Sequence, residues 1–235
     1  MKKNLFLIAF CFAGAIAGAI NGCKKDAVSI YNNGPIAKSF TEEFADVVGL
    51  TAKGWVFKDN SLPDSVYASD QWKQGVAGTD KSGNAFGFPA YSYKSSPDEY
   101  AYSDAFYSDT NQVVSSWLIT PVLSVKNGDN ISFYTRGDAT NSIAGRLQVL
   151  MNKTASLDVG SSSSSTGDFN TVLFDINSSQ SSNGYPTTWT KYEYTFSGIS
   201  GKMDTRIAFR HYYIHPIIFP NHEGVAIDQF KFQVN

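Results

Sequence analysis

Charge is scarce in this chain: Asp, Glu, Lys and Arg make up 17% of its 235 residues, against about 25% in an average soluble protein. A basic excess is missing as well. The formal net charge is −2, which excludes the electrostatic footprint of a nucleic-acid binder. Two cysteines are present, and Cys11 falls inside an apolar leader, so Cys23 is the one thiol left after cleavage and an internal disulfide is excluded. No run of 11 residues carries apolar side chains at the helical period, so a helical domain is not expected. A nucleophile elbow, a phosphate-cradling glycine loop and a recognisable carboxylate pair are all lacking, and the chain reads as a non-enzyme. A hydrolase with a hidden carboxylate pair is the less favoured alternative, because that test is a geometric separation.

What the chain has is aromatic surface: 17 Phe, 13 Tyr and four Trp, with 19 Gly and eight Pro. That is enough to bury one core, and no linker or internal repeat divides it. Residues 1–22 carry a charged start (Lys2, Lys3), a short uncharged apolar stretch and a small-residue exit, as a secretory signal does. The segment Ile20-Asn21-Gly22-Cys23 resembles the lipobox of bacterial lipoproteins, with Asn21 a departure from the usual Ala or Ser. That resemblance implies acylation of Cys23 with three chains, enough for stable attachment where one chain would bind reversibly. Residues 23–38 then form the lipidated cysteine and a tether, and residues 39–235 form the folded domain. The expected location is the outer membrane or cell surface of a Gram-negative bacterium.

From residue 39 onward the apolar residues alternate with period two. Candidate strands are 39–48, 113–125, 130–136, 146–152, 171–176, 188–197, 205–213 and 225–234. The clearest alternations are Ile131/Phe133, Leu147/Val149/Met151, Tyr192/Tyr194/Phe196 and Ile207/Phe209, each with polar residues between, as in strands with one wet face. Turn signals such as Asn127-Gly128-Asp129 separate them, the pattern of an all-β sandwich or barrel. Two stretches break the rhythm. Residues 50–112 are too long for a structureless loop and should hold short strands and ordered loops, whereas residues 156–170, with serines at 161–165, read as a flexible loop.

In order, Phe40-Thr41-Glu42-Glu43-Phe44, Gly54-Trp55, Ser116-Trp117-Leu118-Ile119-Thr120-Pro121, Arg206-Ile207-Ala208-Phe209-Arg210 and Ala226-Ile227-Asp228-Gln229-Phe230-Lys231-Phe232 resemble the choice-of-anchor J domain. That domain is related to the cleaved-adhesin modules of gingipain proteases. The resemblance runs from about residue 39 to 234 and implies a jelly-roll β-sandwich of two antiparallel sheets, similar in shape to galactose-binding and carbohydrate-binding modules. One departure is an insertion at 215–223 before the last strand.

Candidate site residues follow. Glu42 alternates with Phe40 and Phe44, and Asp228 with Phe230 and Phe232, which places both carboxylates on the apolar side of their strands. A buried carboxylate needs a partner. In jelly rolls of the kind this chain resembles, an early Glu and a late Asp often hold a structural calcium ion, so Glu42 and Asp228 are expected as ligands, with Glu43 or Asp59 as further contributors; hydration or hydrogen bonding to backbone at strand ends is the alternative. Calcium takes six to eight oxygens, so two carboxylates are part of a site only. His211, His215, His222 and Glu223 are too far apart along one strand, at about 3.3 Å per residue, to ligate one ion without a bend, and are read as surface or packing residues. Trp72, Tyr91, Tyr93, Tyr100, Tyr102 and Tyr107, interspersed with Asp98, Glu99, Asp104 and Asp109, are the candidate contacts to a glycan or to a host or matrix protein, because ring faces stack and phenols hydrogen-bond. If those rings are buried, they cover a sheet edge, and the chain is a structural or accessory envelope module.

Overall fold

The computed structural model describes residues 34–62, 72–105, 113–138, 145–214 and 223–235. The leader, Cys23, Tyr107, His215 and His222 lie outside them. Fourteen strands occur there: β1 (Phe40–Glu42), β2 (Val56–Asp59), β3 (Trp72–Gln74), β4 (Ala77–Thr79), β5 (Ala85–Gly87), β6 (Ala101–Ala105), β7 (Val113–Ile119), β8 (Leu123–Val125), β9 (Asn130–Arg136), β10 (Leu147–Asn152), β11 (Thr171–Ile176), β12 (Thr190–Thr195), β13 (Met203–Ile214) and β14 (Glu223–Gln233). One sheet runs β12-β9-β14-β6-β3, with β1 joining β14 beyond the end of β6; the second runs β11-β10-β13-β7-β2, with β8 on the start of β13. Each strand pair within them is antiparallel. The chain is therefore an all-β sandwich of two antiparallel sheets.

The expected alternations supply the core. Ile131 and Phe133 of β9 and Val225 and Ile227 of β14 face Leu147, Val149, Ile207 and Phe209 of the other sheet in one buried cluster. Phe133 and Phe209 meet edge to face across the sandwich, ring centroids 5.0 Å apart, an arrangement aromatic quadrupoles favour. The first expected strand is shorter than its pattern suggested. After Glu42 the backbone turns at Phe44, whose φ is 55°, and residues Val48–Lys53 form a 3-10 helix whose Leu50 joins the core.

Residues 156–170 are not a flexible loop. Asp158 and Ser165 accept or donate hydrogen bonds within the segment, and Val159 and Phe169 are buried against Trp117, Ile119 and Leu150 on the outer face of the second sheet. A sheet face carrying Trp117 needs a cover, and this serine-rich stretch provides it. Arg210 is buried beneath the cover. Its Nε donates to Ser115 Oγ at 3.0 Å, its Nη1 to Gln148 Oε1 at 3.0 Å and its Nη2 to the Ser163 carbonyl, while its guanidinium lies 3.8 Å from the ring centroid of Tyr212.

Candidate functional site

The outer face of the first sheet carries the site. On β6, Ala101 and Ser103 point into the sandwich, so Tyr102 and Asp104 point out, beside Lys73 on the paired position of β3. Residues 88–100 fold over this face. The Tyr100 ring stacks on Phe88 with centroids 5.0 Å apart and planes at 24°, and its hydroxyl donates to the Val76 carbonyl at 2.9 Å and accepts the Val76 N–H at 3.1 Å. Glycines make room for these rings: a Cβ on Gly75 would stand 2.2 Å from Tyr100, and one on Gly224 would stand 1.9 Å from the Tyr102 hydroxyl. Arg136 sits 4.0 Å from the Phe88 ring centroid.

The result is a cleft of about 400 Å³ walled by Phe86, Phe88 and Tyr102, with the buried Tyr100 behind Phe88, and rimmed by Lys73, Asp104 and Asp138. Lys73 Nζ is 3.7 Å from Asp104 Oδ2, and the Tyr102 hydroxyl donates to Asp138 Oδ2 at 3.5 Å. Burial pushes the Tyr100 phenol up to about 12 and the Tyr102 phenol further. Both rings stay neutral donors at any physiological pH. Rings backed by charged and hydroxyl groups are suited to a sugar, whose C–H face packs on aromatics while its hydroxyls need hydrogen-bond partners.

The expected contact residues divide. Tyr102 lines the cleft, and Tyr91 and Tyr93 are exposed, at 44% and 53%. Tyr91 stacks on Tyr134 with centroids 3.6 Å apart, and the Tyr91–Tyr134 hydrogen bond, followed by burial, raises the Tyr134 phenol. Trp72 and Tyr100 are buried, which removes them as direct stacking platforms. Trp72 points into the sandwich and its Nε1 donates to the Ser116 carbonyl of the other sheet at 3.3 Å; Tyr100 lies under Phe88. Glu99 also serves the fold: it accepts the N–H groups of Lys94, Ser95 and Ser96 and the Ser95 hydroxyl at 2.5–3.0 Å, bonds that hold its carboxyl down at about 2, the Ser95 hydroxyl contributing most. Lys73, Phe86, Phe88 and Asp138 were missed. Phe86-Gly87-Phe88 was a visible aromatic pair, but nothing in the sequence set it against Tyr102.

The carboxylates rearrange as well. On β14 the register slips between Asp228 and Lys231, which face Tyr134 and Ser132 of β9, and Gln229 adopts φ 45°. This bulge inserts one residue and reverses the alternation. Asp228 therefore shares a side with Ala226, facing out beneath residues 91–92, and not with Phe230 and Phe232 as period two implied. Its Oδ2 accepts the Ser92 N–H at 3.1 Å and its Oδ1 the Gln229 N–H at 2.6 Å. Burial, with the Glu43 charge adding, pushes its carboxyl up to about 7. Glu42 is not the partner. Both its oxygens accept Lys53 Nζ, at 2.8 and 2.9 Å. Asp59 is occupied by Ser61, whose N–H and hydroxyl it accepts at 2.9 and 2.6 Å. Glu43 is the residue whose charge acts on Asp228, and its Oε2 is buried with no hydrogen-bond partner. Among the described residues no three His, Cys, Asp or Glu side chains converge as a metal cluster, so any ion here would draw on backbone and hydroxyl oxygens too.

No family model matches the chain, and no curated protein matches it. Among solved structures it is similar to cleaved adhesin domains of Lys-gingipain. The K1 domain, from Porphyromonas gingivalis W83, is 17% identical over 85% of this chain and 99% of that one, with a TM-score of 0.49. The K2 domain is 17% identical over 83% and 99%, also at 0.49. The CBM22-1 xylan-binding domain of Xyn10C from Paenibacillus barcinonensis is 10% identical over 85% and 96%, at 0.38.

Proposed function

We propose that this chain is a non-enzymatic, lipid-anchored surface module that binds a neutral glycan in the Tyr102 cleft and is stiffened by a calcium ion between Glu43 and Asp228. The observation that carries the glycan reading is the cleft itself, a preformed aromatic trough with an ammonium and two carboxylates on its rim. Preformed, mostly apolar sites with a few placed polar groups are the usual form of a small-ligand site. Calorimetric titration against a panel of neutral oligosaccharides tests it. Tyr102→Ala, and Gly224→Ala, which drives a methyl group into the Tyr102 ring, should each weaken binding at least tenfold; absence of binding by the parent protein to every member of the panel refutes the reading. The exposure of Tyr91 and Tyr93 favours a second reading, contact with a host or matrix protein across the same face.

The calcium reading rests on the orphaned Glu43 oxygen and on the charge of Glu43 acting on the buried Asp228 carboxyl. A divalent cation offers hard-oxygen coordination and neutralises both. Glu43 lies just beyond β1 and Asp228 at the bulge of β14, so an ion held by both would tie the chain's entry strand to its last one. Anchoring rests on Cys23 and the lipobox-like residues before it. Protein extracted from membranes should carry acyl mass on Cys23 and lose it in Cys23→Ser; an unmodified thiol in the parent would refute the anchor.

A further inference from the structure

A second cleft, of about 420 Å³, opens at the opposite margin of the sandwich, where β12 and β11 form the outermost strands of the two sheets. Its floor is Met151, Tyr194, Phe196 and Met203. One wall is the turn at residues 197–202, and that turn is pinned. The Asn127 side chain accepts the Ile199 N–H at 2.8 Å and donates to the Ile199 carbonyl at 2.9 Å, while Gly198 and Gly201 take φ values of 71° and 74°, which a side chain would strain.

The charge at this cleft is of one sign. Lys153 and Lys202 stand on its rim, no acidic residue lines it, and the ion pairs formed among the described residues involve neither lysine. In a chain of net charge −2 this is a local reversal, and two lysines lining one cleft without a carboxylate attract an anion. Thr171, Ser197 and Ser200 also line it, the Thr171 hydroxyl donating to Asn170 Oδ1 at 3.4 Å. Their hydroxyls distinguish between anions. An acyl chain entering the cleft would leave those hydroxyls facing hydrocarbon, at a desolvation cost, whereas the hydroxyls of a sugar would satisfy them as its ring covered Tyr194 and the two methionines.

We propose that this cleft is a separate binding site for an acidic saccharide, a sugar unit bearing a carboxylate or a sulfate ester, whose anion is held by Lys153 and Lys202. It shares no residue with the Tyr102 cleft and does not depend on that reading. Lysine suits either anion because its ammonium acts as a point charge with three rotatable donors, without the planar selectivity of arginine.

Isothermal titration of the purified protein with a sulfated tetrasaccharide and with an oligogalacturonate tests this. At least one should bind, with affinity falling as salt rises from 50 to 200 mM, and Lys153→Gln/Lys202→Gln should raise Kd at least tenfold without moving the melting temperature. Lys58→Gln, an exposed lysine on β2, should change nothing. The proposal is overturned if neither oligosaccharide binds, or if the double variant binds as the parent does. Displacement by equimolar inorganic sulfate would show an adventitious anion only. Equal competition by vesicles containing anionic phospholipid would assign the cleft to a lipid headgroup and equally refute the saccharide.

Discussion

His211 on β13 lies between the sheets, fully buried, with Nδ1 3.0 Å from the Ser103 hydroxyl of the facing sheet and Nε2 without a partner. Burial pushes its pKa down to about 3. An imidazole in the unfolded chain titrates near 6.5. As pH drops from about 6.5 towards 3 the unfolded state takes up the proton and the folded state does not, so His211 withdraws stability at up to about 1.4 kcal/mol per pH unit. Asp228 acts with the opposite sign: its raised pKa means the folded state holds a proton that the unfolded state has released, so its contribution grows as pH falls from about 7. The measurement is therefore a difference. Urea midpoints of the parent and of His211→Asn at pH 7 and pH 4.5 should converge or cross on acidification, the variant losing less; parallel losses would show that His211 does not carry the acid response.

At the scale of elements, the covered outer face of the second sheet decides more than its serine-rich cover suggests. Residues 153–170 place Val159 and Phe169 over Trp117, the Phe169 and Trp117 centroids 5.8 Å apart. Phe169→Ala should cost about 3–5 kcal/mol, the range for truncating a buried aromatic, and should raise amide exchange through 157–169. A cost below about 1 kcal/mol by denaturant titration would mean that the segment is not an integral layer. The polar composition of this stretch points to a flexible loop, and nothing local shows that two apolar residues, ten apart, land on the same tryptophan and bury it. The bulge in β14 has the same character. Ala226, Ile227, Phe230 and Phe232 were legible as a strand, yet a single residue at φ 45° reverses which side Asp228 occupies.

For the whole molecule, the sandwich is held by its aromatic core and by polar bridges between sheets, Trp72 to the Ser116 carbonyl and Ser103 to His211. A calcium ion at Glu43 and Asp228 would add a further tie. A ligand at 100 times its Kd that binds only the folded state contributes about 2.7 kcal/mol, which for a domain of this size raises the melting temperature by about 5–10 °C. Calcium should produce that shift over chelator in the parent. It should produce none in Glu43→Gln or Asp228→Asn, and a full shift in Glu42→Gln measured against its own chelated baseline. An unchanged melting temperature in the parent would remove calcium from the account.

The sequence by itself determined the class of fold and most of the strands, because period-two alternation reports directly which side chains seek the core, as Ile131/Phe133 and Ile207/Phe209 show. It also named Glu43 and Asp228, with Glu42 and Asp59, as candidate carboxylates. The tertiary structure decided which candidates meet. Glu42 is taken by Lys53 from the 3-10 helix, the Glu43 charge acts on Asp228, and Tyr100 is covered by Phe88 while Tyr102 lies over Gly224. Those choices depend on register, bulges and glycines that belong to no local pattern. Only when distant strands pair do such residues come within reach of one another.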